Sequence, residues 1–118
     1  MFILICTEKL VLFCSLAAAS VPEPVAIYPL NAKYTTREIK NRQPQGKPVG
    51  VSLAPGRDGE PSGSYQFAGT AESYIEFPNN GGLDVKHSIT MLCWVYPESK
   101  DGPLFQYFTT DPKLWGML

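Results

Sequence analysis

Proline and glycine interrupt this chain every several residues, eleven prolines and ten glycines in 118 residues, and that punctuation limits its fold more than any motif does. Proline removes a backbone donor from a helix interior and clashes with the preceding turn, while glycine there costs about 1 kcal/mol. Beyond the first twenty residues no segment keeps the i, i+3, i+4, i+7 apolar spacing of a helix. The apolar residues instead fall in short runs bounded by turn residues, and several runs alternate apolar with polar. The expected class is all-β, an antiparallel β-sandwich with many turns.

The runs can be placed along the chain. "VAIYPL" (25–30) is a candidate first strand. "NAKYTTREIKNRQPQGKP" (31–48) is polar and aperiodic and reads as a long connection, its Lys and Arg interleaved with Glu38 on a solvated face. "VGVSLA" (49–54) is a second strand, and "PGRDGEPSG" (55–63) is dense turn chemistry. The "GRDG" within it has the wrong residue order for an integrin-type adhesive loop. "SYQFAG" and "SYIEFP" alternate, with Tyr65 and Phe67 on one face and Ile75 and Phe77 on another, joined by a hairpin over 69–72. "NNGGLD" (79–84) carries the strong turn pair Asn80-Gly81; its oxygens could face calcium, but the spacing fits no calcium loop and turn formation explains it.

"SITMLCWVYPES" (88–99) is apolar on both faces, Ile89, Met91, Cys93 and Val95 on one and Leu92, Trp94 and Tyr96 on the other. It reads as a central, doubly covered strand. "SKDG" (99–102) turns, "PLFQYF" (103–108) returns beside it, "TTDPK" turns again and "LWGML" begins another run. The expected core is Tyr65, Phe67, Ile75, Phe77, Ile89, Met91, Trp94, Tyr96, Phe105 and Tyr107. The chain stops inside an apolar run after about six or seven strands, and a closed double sheet commonly needs eight or more. The domain is therefore expected to be incomplete at its C-terminus, as a fragment, truncated gene model or short splice form.

The first twenty residues, "MFILICTEKLVLFCSLAAAS", place Lys9 before the uncharged run Leu10 to Ala19 and close on small residues. That is the order of a cleaved signal peptide, residues 1–19, followed by an extended, proline-stiffened lead-in over 20–24 and a domain over 25–118. A membrane span needs roughly 20 apolar residues, and Glu8-Lys9 splits this stretch. A net charge of −1 with no basic stripe speaks against nucleic acid, and no later run is long enough to span a bilayer. The localisation implied is secreted. Cys6 and Cys14 leave with the leader, so Cys93 is left without a partner in this chain. An odd cysteine in a secreted protein points to an absent mate, an intermolecular bridge or a free thiol.

From "GSYQFAG" through "SYIEFP" and "GLD" to "SITMLCWVYP" and "PLFQY", the chain resembles the first half of a laminin G-like domain of the concanavalin A-like lectin superfamily. The pieces are Tyr65 to Gly69, Tyr74 to Pro78, Gly82 to Asp84 and Ser88 to Pro97, and the likeness covers 24–118. "MLCWVYPESKDGPLFQY" is also similar to the pentraxin branch, in which the equivalent cysteine is bridged to one further along. The resemblance implies a jelly-roll sandwich and makes Cys93 a structural disulfide candidate whose mate is absent here. The alternative is a buried thiol filling apolar space. The family's calcium and ligand loops lie past Leu118, so no cofactor or metal residue is carried over. Calcium would belong to a full-length parent domain.

No catalytic constellation is legible. His87 has no serine or cysteine relay, and Glu72 and Glu76 flank a turn and a strand face rather than a cleft, which a glycosidase would require. The expected function is a non-enzymatic recognition or extracellular-matrix module binding carbohydrate or protein. The alternatives are a truncated product with no binding function of its own, able to associate through Cys93 or an exposed sheet, and a glycan-active enzyme on the same fold.

Overall fold

A computed structural model describes residues 22–98 and 102–107 and the backbone of 116–117. Residues 1–21, 99–101, 108–115 and 118 lie outside the described residues, and with them the expected leader, most of the expected turn at 99–102 and the expected turn at 109–113. Every regular element described is a strand, and every pairing is antiparallel. The elements are β1 (Lys47–Val49), β2 (Val51–Ala54), β3 (Ser64–Phe67), β4 (Tyr74–Glu76), β5 (Gln106–Tyr107) and β6 (Gly116–Met117). The chain is thus all-β among the described residues, built as three two-stranded sheets.

The expected strand over 49–54 is split at Gly50. This glycine has φ +58°, and a Cβ there would meet the Glu72 carbonyl oxygen at 2.4 Å. Only a residue without a side chain fits such a backbone approach. The split decides the topology. β1 pairs with β4, Lys47 opposite Glu76 and Val49 opposite Tyr74, while β2 pairs with β3, Val51 opposite Phe67 and Ala54 opposite Ser64. The expected β3–β4 hairpin does not form, because each strand is already taken by one half of the split arm. The result is one long hairpin closed by the 55–63 turn, with Gly50 on one arm facing residues 68–73 on the other. Ser73 fastens this interruption: its hydroxyl donates to the Gly50 carbonyl and accepts from the Ala68 N–H, both at 2.8 Å.

Residues 25–30 join no ladder, contrary to the strand expected there. Leu30 takes φ +51°, which ends any strand, yet the segment is the heart of the core. Ala26, Tyr28, Leu30, Ile75 and Phe77 are buried together, with Val51, Tyr65, Phe67, Leu83, Met91 and Tyr107 packed against them in part. The Tyr28 and Phe77 rings meet at 4.3 Å between centroids and 53° between planes, a tilted arrangement that aromatic quadrupoles favour. The Tyr28 hydroxyl donates to the Pro44 carbonyl, and burial, with Glu38 adding to it, pushes its pKa up to about 12.

In the polar connection 31–48 the Lys and Arg side chains are exposed, as the sequence implied, but two polar residues among them are buried. Thr36 and Glu38 are each 1 % exposed. Thr36 donates through its hydroxyl to the Gly46 carbonyl and accepts the Gly46 N–H through its own carbonyl. Glu38 gathers four donors: the backbone N–H groups of Ile27, Lys40 and Arg42, and the Arg42 guanidinium. Burial raises its pKa, but the Arg42 guanidinium and those backbone donors outweigh burial and hold the carboxyl below its ordinary value. Arg42 also meets Glu23, which pairs with Lys40, so the lead-in is tied to the same knot.

Candidate functional site

Residues 88–97 belong to none of the three sheets. This corrects the central strand expected there. Alternation survives locally, since Met91 and Cys93 are half-buried while Leu92 and Trp94, the residues that follow them, are exposed. Cover exists on that one side only. Leu92 is 72 % exposed, Trp94 52 % and Tyr96 89 %, and Ile89 and Val95 are open as well. Trp94, Tyr96 and Ile89 therefore stand outside the core in which they were expected. The return segment does not cover them either, because β5 pairs with β6 rather than with 88–97. Of the other expected core residues, Ile75 and Phe77 are buried, Phe105 is half-buried, and Tyr65, Phe67, Met91 and Tyr107 line the core's edge.

Leu92, Trp94 and Tyr96 form an exposed ridge, and among the described residues a cation from elsewhere in the chain reaches it. Arg57, in the turn that closes the long hairpin, lays its guanidinium 4.4 Å from the centre of the Trp94 ring. The turn is held for this by Gly56 N–H to the Glu60 carbonyl and Gly59 N–H to the Gly56 carbonyl, with the Asp58 N–H on the Glu60 carboxylate. A cation over an indole face is worth about 0.5–1 kcal/mol at an exposed site. The turn chemistry of 55–63 is legible in the sequence but this contact is not, since it joins residues 37 positions apart that no local pattern relates.

Cys93 is a free thiol, half-buried beside Met91, and burial pushes its pKa up. That disfavours the thiolate, the form that attacks electrophiles. The "NNGGLD" loop uses its side-chain oxygens internally. Asn79 Oδ1 accepts from the N–H groups of Gly81 and Leu83, Asn80 Oδ1 accepts from Gly82, and Asn79 Nδ2 donates to Asp84. Among the described residues no three His, Cys, Asp or Glu side chains converge as metal ligands would, and no helix is long and apolar enough to cross a membrane. His87, Glu72 and Glu76 are all exposed. The ridge and its arginine can offer apolar area, an aromatic face and one positive charge, which is equipment for binding.

No family model, no curated protein and no solved structure matches the chain.

Proposed function

We propose that this chain is a secreted, non-enzymatic recognition module on a laminin G-like β-sandwich, and that it binds a protein partner through the Leu92, Trp94 and Tyr96 ridge. The exposure of three large apolar side chains within five residues carries the reading. Soluble domains seldom leave such area open without a partner, and Trp, Tyr and Arg are the residues that dominate binding energy at protein interfaces. The aliphatic share of the ridge favours protein over glycan. Leu92 and Val95 are open next to the aromatics in the chain, and aliphatic side chains offer nothing to sugar hydroxyls. The non-enzymatic part rests on the exposed setting of Glu72, Glu76 and His87, since glycan hydrolysis needs two acids across a cleft with one tuned by burial. The sandwich class and the secretory route rest on the sequence resemblance and on the leader.

The test is surface plasmon resonance of secreted chain against purified extracellular-matrix proteins, with a glycan array in parallel. A protein ligand should emerge, and Tyr96→Ser or Leu92→Ser should weaken it about thirtyfold, as for an interface residue worth about 2 kcal/mol. Binding to glycans alone, or protein binding indifferent to both substitutions, overturns the assignment. N-terminal sequencing of the secreted material should begin at Ser20 or Val21; a product that keeps Met1 overturns the secretory route.

A further inference from the structure

The loop between β4 and the ridge holds chemistry that neither strand formation nor recognition uses. Of the chain's four asparagines, Asn31, Asn41 and Asn79 precede alanine, arginine and asparagine, and Asn80 alone precedes glycine. The backbone nitrogen that follows an asparagine can attack the side-chain carbonyl carbon. A Cβ on the following residue obstructs that approach, and glycine has none. Asn80 and Gly81 are both exposed, and the nearest atom to a Cβ placed on Gly81 would be 3.9 Å away, so water and hydroxide reach the pair.

We propose that Asn80 is a site of spontaneous covalent modification, converted through a cyclic imide with Gly81 to aspartate and isoaspartate. The Gly81 nitrogen loses its proton to hydroxide and forms a bond to Asn80 Cγ. The side-chain amide nitrogen takes up a proton and leaves as ammonia. Water then opens the imide at either carbonyl. Attack at Cγ returns an ordinary aspartate, and attack at the main-chain carbonyl leaves isoaspartate, with the chain running through the former side chain. No oxidant or enzyme is consumed.

The loop aids the first step. The Gly82 N–H donates to Asn80 Oδ1 at 3.2 Å, aimed at the oxygen on which negative charge develops as Cγ is attacked. A fixed donor at a developing oxyanion stabilises the transition state. Gly81 sits at φ +101°, a conformation that keeps glycine in place. Its N–H rests on Asn79 Oδ1 at 2.9 Å, a bond the attack must give up. Asn79 Oδ1 also accepts two backbone N–H groups, so what separates the two sites is the following residue: Asn80 carries a Cβ that obstructs attack on the Asn79 side chain, and Gly81 carries none. The product matters to the fold. Isoaspartate lengthens the main chain inside a loop whose Leu83 packs on the core, and either product adds a carboxylate to the loop that carries Asp84.

The experiment incubates the folded full chain at neutral and mildly alkaline pH, digests it, and sequences the fragments by electron-transfer mass spectrometry, which separates isoaspartate from aspartate. The expected result is replacement of NH by O at Asn80 only, with both isomers present and a rate rising in proportion to hydroxide. Asn80→Gln should lose the mass change. An Asn80 that stays intact in the folded chain while the same chain converts in denaturant overturns the proposal. So does conversion centred on Asn79, or conversion to aspartate with no isoaspartate.

Discussion

Glu38→Gln replaces one carboxylate oxygen with an amide nitrogen and leaves the side chain's shape alone, which makes it a clean probe of the buried knot. Oε1 takes the Ile27 N–H at 3.2 Å and the Arg42 guanidinium at 3.0 Å; Oε2 takes the N–H groups of Lys40 at 3.0 Å and Arg42 at 2.8 Å. Glutamine can satisfy one pair. With its nitrogen in the Oε2 position, two backbone donors face a third donor; flipped, the Ile27 N–H and the guanidinium do. A buried donor left without an acceptor costs about 1–3 kcal/mol, so about 3 kcal/mol is expected in all, the lower half of the range because Arg42 can turn to water. Net stability of a small domain is about 5–15 kcal/mol. A loss of that size should lower the thermal midpoint by about 12–24 °C. Urea denaturation followed by tryptophan fluorescence is the assay. The pH dependence follows from the carboxyl held below its ordinary value. Its stabilisation is complete above the ordinary carboxylate range and is lost as pH falls through the lowered folded value, and the glutamine variant should lose this acid-side dependence. A variant within about 0.5 kcal/mol of the parent, the scatter of surface substitutions, would refute the reasoning.

Other outcomes follow from single contacts. Gly50→Ala forces a Cβ against the Glu72 carbonyl at a positive φ, and should destabilise by about 2 kcal/mol or more in denaturant titration; a neutral alanine would show that the split between β1 and β2 is not steric. Leu92→Ser and Tyr96→Ser should change stability by no more than about 0.5 kcal/mol, because both side chains are exposed, whereas a doubly covered strand would lose several times that. Cys93 should alkylate slowly at neutral pH and faster as pH rises, since burial raises its pKa; a thiol as quick as free cysteine at neutral pH would contradict the burial.

Strand and turn identity was legible at 64–67 and 74–76 because alternation and turn residues are local properties. The same local reading marked Asn80-Gly81 as a turn, and the loop's side-chain hydrogen bonds are those a turn needs. Partners were not legible. A period of two reports that side chains alternate, and says nothing of what covers either face, so 88–97 looked like a covered strand although Leu92, Trp94 and Tyr96 stand open. Nor can composition tell a solvated glutamate from a buried one. Glu38 sits among Lys and Arg in the sequence, and its burial depends on donors from Ile27, Lys40 and Arg42 meeting at one point. The sequence determined that this chain makes short antiparallel strands joined by tight turns. Tertiary structure alone decided how those strands pair, with Gly50 pressed against the Glu72 carbonyl between the two ladders, and that Arg57 lies over Trp94, because pairing is settled by which distant backbone groups can meet.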